Sequence, residues 1–324
     1  FLPKMTDRSL AFHETFCLSG FVAVGSKTIA APIERIKLLL QNQGEAKGNT
    51  KPYTGIMDAA TRIPAEQGIA SFWRGNLANC VRYFPTQALN FAFKSKYKAF
   101  YKKQLGITKK SSKGMQLINA VAAGGSAGAT SLLVVYPLDF ARTRLAVDTG
   151  TGKDRQFNGM VDCITKTIKT GGLVGKNGIY NGFAVSCVGI IFYRGAYFGL
   201  YDFTQGLEFM EGSNFAMNFA LSFVVTTIAG IVAYPLDTIR RRMMMNSGSE
   251  GAAPKYNGSL DCAGKIMAQE GFGAFFKGAF SNILRGLCGA LVLAGNDEVT
   301  TAYKNMKFGK ETKAWKDLSV EGPT

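Results

Sequence analysis

The sequence predicts an all-α membrane protein, with six transmembrane helices in three pseudo-symmetric repeats around a central cavity. Two observations carry that prediction. A proline followed two residues on by an acid, and three further by a base, occurs as Pro32-Ile-Glu34-Arg-Ile-Lys37, Pro137-Leu-Asp139-Phe-Ala-Arg142 and Pro235-Leu-Asp237-Thr-Ile-Arg240. The copies lie 105 and 98 residues apart, a period that marks repeated units rather than unrelated domains. Residues 114–138 and 212–236 each run for 25 residues without a charged side chain, and about 20 suffice to cross a bilayer.

The remaining spans are interrupted by charge. Lys27 breaks residues 15–33, Arg82 precedes 83–93, Arg194 splits 177–201 and Arg285 precedes 286–296. Mean hydropathy is only +0.05, so a soluble helical protein is the competing reading. Intramembrane charge, however, commonly lines a polar path. The net charge of +16 over 324 residues suits nucleic acid, anionic lipid or a polyanionic solute, and the apolar spans argue against nucleic acid. The six cysteines form no Cys-x-x-Cys pair and read as unbridged packing residues. No metal-ligand constellation is evident. The first residue is not Met, which suggests processing or trimming, and no Arg-rich presequence or secretory segment is evident.

Each repeat reads as a long helix, a polar loop with a short helix, and a second long helix. The expected long helices are 12–42 and 79–103, 115–146 and 183–207, then 213–245 and 279–304. The corresponding units are 1–107, 108–209 and 210–303, followed by a basic extension, 304–324. That extension, with lysines at 304, 307, 310, 313 and 316 around Trp315, reads as a solvated tail, with binding of anionic lipid or a protein partner as the alternative.

Two further elements recur in register. The loops contain Tyr53-Thr-Gly55-Ile-Met-Asp58, Phe157-Asn-Gly159-Met-Val-Asp162 and Tyr256-Asn-Gly258-Ser-Leu-Asp261, a turn leading into an amphipathic helix along a membrane surface. Before each second long helix stand Trp73-Arg74-Gly75, Tyr180-Asn181-Gly182 and Phe276-Lys277-Gly278. Helix N-termini bind phosphate and flanking aromatics suit the lipid interface. Trp73, Arg74, Gly75, Tyr180, Gly182, Phe276, Lys277 and Gly278 are therefore expected to bind anionic lipid; plain interfacial anchoring is the alternative.

Three parallel copies of a helix pair put both termini on one side and all three long loops on the other. A ring of them brings Glu34, Lys37, Asp139, Arg142, Asp237 and Arg240 together at one end of the central path. Proline bends helices, so three bends would converge there, and equal numbers of acids and bases would close a salt-bridge gate. The alternative is pairing within each helix, three residues apart.

A solute without a threefold axis should be bound where the symmetry fails. Seven residues on from Gly75, Gly182 and Gly278 stand Arg82, Gly189 and Arg285; five before the prolines stand Lys27, Leu132 and Gly230. Lys27, Arg82 and Arg285 form a cationic trio suited to phosphate oxygens. Gly189, Ile190 and Tyr193 supply an apolar slot for a planar base. The solute indicated is a polyphosphate carrying an aromatic ring; the competing reading has these cations snorkelling or paired with acids. Gly171-Gly-Leu-Val-Gly175-Lys176-Asn177 fails the P-loop pattern, so hydrolysis is not expected.

Together these elements resemble the mitochondrial carrier family, over roughly residues 12–304. The run Arg240-Arg-Arg-Met-Met-Met245 is similar to the hallmark of its members that exchange ADP for ATP, as are Arg82-Tyr-Phe-Pro-Thr-Gln-Ala-Leu-Asn90-Phe-Ala-Phe93 and Tyr136-Pro-Leu-Asp-Phe-Ala-Arg-Thr-Arg144. The resemblance implies exchange of ADP for ATP across the mitochondrial inner membrane by alternating access through one central site, not an enzyme. It further implies termini towards the intermembrane space, short matrix-side helices, a matrix gate at the proline motifs, and bound cardiolipin as a structural lipid without other cofactor. Lys27, Arg82, Asn90, Gly189, Ile190, Tyr193, Arg241 and Arg285 match the family's substrate positions.

The chain departs from the family pattern at a second, cytoplasmic gate on the even helices. Ser95 stands where an acid is expected, Gln205 and Thr300 where bases are, and only Lys98, Asp202 and Asp297 remain. The expected consequence is a weak outer gate and a bias towards the matrix-closed state. Ala233 replaces a serine often seen before the fifth-helix Tyr-Pro, and Lys176-Asn177-Gly178 looks inserted. The damaged gate also motivates an alternative function, a non-transporting structural subunit associated with a respiratory complex.

Overall fold

A computed structural model describes residues 12–43, 52–106, 112–150, 155–205, 215–247, 255–287, 303, 305 and 306. Among these no strand occurs, and the helices follow the expected order. They are α1 (Phe12–Asn42), α2 (Ile56–Gln67), α3 (Asn76–Gln104), α4 (Lys113–Val147), α5 (Met160–Gly171), α6 (Phe183–Gln205), α7 (Phe215–Asn246), α8 (Ser259–Glu270) and α9 (279–287). Short 3-10 turns, Ile69–Trp73 and Phe272–Phe276, precede α3 and α9. Most of the expected sixth long helix, and nearly all of the basic extension, lie outside the described residues.

Parts of α4, α6 and α7 are apolar enough to cross a membrane: Gly114–Val147, Phe183–Tyr201 and Phe219–Asn246. Helices α1 and α3 have 31 and 29 residues, about 45 Å at 1.5 Å per residue, but carry the charges that lower their hydropathy. The odd-numbered long helices run through Pro32, Pro137 and Pro235 and continue for about three turns. α1, α4 and α7 meet pairwise, while α3 packs on α4 and α6 on α7.

The hydrophobic core lies at the end where these three helices converge, as three equivalent clusters. One joins Tyr53, Ala59 and Ile63 to Ile36 and Leu39; another joins Phe157 and Cys163 to Tyr136 and Phe140; the third joins Tyr256, Cys262 and Ile266 to Ile239 and Met243. The repeated loop aromatic is thus a buried anchor tying each short helix to its long one. The repeated acid fixes the start of the short helix: Asp58, Asp162 and Asp261 accept from the backbone N–H groups of Thr54, Asn158 and Asn257 at 2.8, 2.9 and 2.8 Å. These bonds hold all three carboxyls below their ordinary range, each acid reaching back from the first turn to the residue before the N-cap glycine. Cys80, Cys163, Cys187 and Cys262 form no disulfide among the described residues, as expected; the side chains of Cys17 and Cys288 lie outside the described set.

Each second long helix starts from a glycine in the left-handed region, Gly75, Gly182 and Gly278, with φ of 82°, 86° and 84°. A Cβ there would stand 2.8, 3.1 and 3.1 Å from the carbonyl oxygens of Arg142, Arg240 and Lys37. The glycine therefore lets each even helix begin against the odd helix of the following repeat, at the base of its gate motif.

Candidate substrate cavity and gate

The proline-motif charges pair between helices, not within them. Glu34 accepts from Arg142, Asp139 from Arg240, and Asp237 from Lys37 Nζ at 3.1 Å. Each bond joins one repeat to the next, so the ring closes. It is mostly desolvated: Asp139 is 2% exposed and Glu34 6%. Exposed ion pairs are worth about 0–1 kcal/mol, whereas breaking a buried pair by removing one partner costs about 3–5 kcal/mol.

The ring has supports that the repeat motif did not reveal. Asn79 Nδ2 donates to Glu34 at 3.0 Å, and Asn282 Oδ1 accepts from Lys37 at 3.0 Å. These asparagines stand four residues after Gly75 and Gly278, so their register was readable; the middle repeat has Ser186 there. Gln41 ties Asp237 and Thr238 to α1 at 3.2 and 3.1 Å. Tyr136 lies beneath Arg240 and Tyr234 beneath Lys37, with cation–ring distances of 5.5 and 5.1 Å; the first repeat has Ala31 at that position.

On one side of the ring lie two adjoining chambers of about 370 and 750 Å³, sharing Tyr193, Gly230, Tyr234 and Asn282. Arg82, Asn90, Gly189 and Ile190 line the smaller; Lys27 and Arg285 line the larger. Seven of the eight sequence-assigned substrate residues therefore share one cavity. Arg241 does not. It is 9% exposed and lies in the gate layer, 3.5 Å from Asp139 and 3.4 Å from Asp237, with Nη1 donating to Thr143 at 2.5 Å.

Two of the trio also touch the gate. Arg82 Nε lies 3.7 Å from Asp139, which answers in part the reading that these cations pair with acids. Arg285 Nε donates to Asn282 Oδ1 at 3.3 Å, the same oxygen that accepts from Lys37. An anion drawing either arginine into the cavity would take away a contact with a gate acid or with the asparagine that supports Lys37.

At the even-helix starts, the residues assigned to lipid already have protein partners. Trp73 Nε1 donates to Thr28 O at 2.9 Å and Tyr180 to Leu133 O at 2.8 Å, while Phe276 stacks on Tyr234 at 6.5 Å. Arg74 donates to the carbonyls of Asp148 and Gly150 at 2.9 and 2.8 Å, and Lys277 bonds Glu270 at 2.7 Å. Lys176 Nζ donates to Asn257 at 3.1 Å, across to the third repeat. Of the residual outer gate, Lys98 is exposed on α3; Asp297 and the side chain of Asp202 lie outside the described residues. The same limit leaves no metal-binding cluster among the described residues.

The profile of the family described as mitochondrial carrier protein matches residues 8–105, 113–210 and 211–307. Among curated relatives, ADP/ATP translocase 3 of Bos taurus is 52% identical over 299 residues, spanning 91% of this chain and 99% of the relative. ADP/ATP translocase 4 of Bos taurus is 54% identical over 293 residues, 89% of this chain and 88% of the relative. The ADP,ATP carrier protein of Parachlorella kessleri is 51% identical over 304 residues, 92% and 87%. Three matched repeats covering nearly the whole chain, on a ring of three helix pairs, mean that this protein belongs to the mitochondrial carrier family.

Proposed function

We infer that the protein exchanges ADP for ATP across the mitochondrial inner membrane, by alternating access through a single central site. The observation that carries this reading is the cavity itself: three cations that break the threefold symmetry, Lys27, Arg82 and Arg285, beside an apolar slot at Gly189, Ile190 and Tyr193. Relatives more than half identical carry the name ADP/ATP translocase. The protein is a transporter and breaks no covalent bond in its substrate.

Phosphate oxygens entering the cavity compete with Asp139 for Arg82 and with Asn282 for Arg285. That competition links occupancy to the gate layer, through Asp139 of the Asp139–Arg240 pair and through Asn282, which supports Lys37. Fully ionised, metal-free ATP carries one more negative charge than ADP, and exchange then couples to membrane voltage at about 2.3 kcal/mol per 100 mV. The termini face the intermembrane space and α2, α5 and α8 the matrix. Cardiolipin headgroups bind at the starts of the even helices as structural lipid.

Reconstitution into ADP-loaded liposomes tests the reading. Uptake of external ATP and ADP, with little of AMP or GTP, is expected. Folded protein that exchanges neither ADP nor ATP would overturn it.

A further inference from the structure

We propose that the linker between α5 and α6 is a latch across the gate end: it ties the second repeat to the third beneath the Asp139–Arg240 pair, and must release before that end can open. The inference rests on the alternating-access reading and adds a step to it. Each short helix stops at a glycine, Gly68, Gly172 or Gly271, and each even helix starts from Gly75, Gly182 or Gly278. The linkers between them are 69–74, 173–181 and 272–277, so the middle one is three residues longer.

The extra length has a place to go because α5 ends on Gly171. A Cβ there would stand 1.9 Å from the carbonyl oxygen of Asn177, closer than a side chain allows. The linker backbone therefore fills the space where the other repeats carry Gln67 and Glu270. In the third repeat that residue is a lock within the repeat: Glu270 pairs with Arg242, seven residues on from Pro235. Arg144 stands seven on from Pro137. With glycine at 171, its Nη1 donates instead to Met245 O on α7, at 2.7 Å. The second repeat has exchanged an internal lock for a tie to its neighbour.

The linker adds further ties in the same direction. Ser247 Oγ, just past the end of α7, donates to Gly178 O at 2.9 Å, and Lys176 Nζ reaches Asn257, before α8, at 3.1 Å. Asn181 spans both sides of the boundary. Its carbonyl accepts from the Tyr136 hydroxyl of α4 at 2.7 Å, and its Nδ2 donates to Met243 O of α7 at 2.9 Å. Tyr136 is also the ring beneath Arg240. Asn181 is buried, and a buried amide gives up such bonds only at a cost. The gate pair joins the same two helices, Asp139 on α4 and Arg240 on α7. Drawing them apart pulls on both sides of Asn181 at once, so the latch gives way together with the pair.

The test is a reversible cross-link between Lys176→Cys and Asn257→Cys, placed in a cysteine-free full chain in ADP-loaded liposomes and joined by ethane-1,2-diyl bismethanethiosulfonate. Joining the pair should cut ADP/ATP exchange about tenfold or more, since opening the gate end is a step of every turnover, and dithiothreitol should restore it. Either cysteine alone, treated likewise, should lose little. Exchange within about twofold of the reduced protein once the pair is joined would overturn the latch, as would failure of the two cysteines to join in folded protein. Lys176→Ala with Ser247→Ala in the native background gives a second reading, which decides the matter if the cysteine-free chain does not fold. Amide hydrogen exchange of the purified double variant should quicken by roughly threefold or more in residues 139–147 and 243–247, with α5 unchanged. Rates that stay as in the wild type would overturn the proposal. So would an equal rise in α5, which would assign the linker to packing within its own repeat. If the wild-type protein exchanges no nucleotide, the functional reading fails separately, and hydrogen exchange alone decides the latch.

Discussion

Gly182 has φ +86°, and a Cβ added there would meet the Arg240 carbonyl at 3.1 Å and the Tyr136 hydroxyl at 3.2 Å. Gly182→Ala should therefore cost about 1–3 kcal/mol from the backbone conformation alone, lowering the thermal midpoint of the purified protein; an unchanged midpoint would refute the close approach. Glu270 offers a pH test outside the membrane spans. Hydrogen bonds from Arg242, then from Lys277, hold its carboxyl down to about 2, from an ordinary 4.5. A depressed carboxyl stabilises the fold above its unfolded value, and that contribution is lost as pH falls from about 4.5 towards about 2. Glu270→Gln should be less stable than wild type at about pH 5, with the gap narrowing by about pH 3. A gap that widens on acidification would contradict the sign. The repeated glycines and the loop acids were visible in the sequence. The Glu270 contacts were not, because Arg242 sits 28 residues away with no repeat to flag it.

At the scale of elements, the gate is a property of three helices. Within α1, Glu34 and Lys37 are three residues apart and suited to pair, yet each bonds a different neighbouring helix. Convergence of α1, α4 and α7 brings opposite charges from adjacent repeats closer than those on one helix. A charge swap distinguishes the two arrangements. Glu34→Arg and Arg142→Glu should each abolish exchange or cut it by an order of magnitude, the loss expected when a buried charge is left facing its like. The double exchange should recover a substantial part. No recovery in a double variant that folds would argue against the inter-repeat pair.

For the whole molecule, the ring is closed at one end while half the expected charges of the opposite gate are missing from the sequence. The protein should therefore rest with its cavity open away from the ring. A cysteine at Thr86, which lines the smaller chamber, placed in a cysteine-free background, should react with an impermeant thiol reagent in mitoplasts and resist it in inverted inner-membrane particles. The reverse pattern would sink the proposed resting state. By itself the sequence determined the threefold period, the helical spans of the described elements and the cations that break the symmetry, since repetition and periodicity are local patterns that a chain displays without folding. Only the tertiary structure decided which acid meets which base, that Arg241 joins the gate rather than the cavity lining, and that Arg82 and Arg285 connect the cavity to the ring. The reason is physical: these partners come from different repeats, Arg82 and Asp139 across the α3–α4 boundary and Lys37 and Asp237 between the first helix and the third repeat. Their distances are set by how tightly the three proline-containing helices converge.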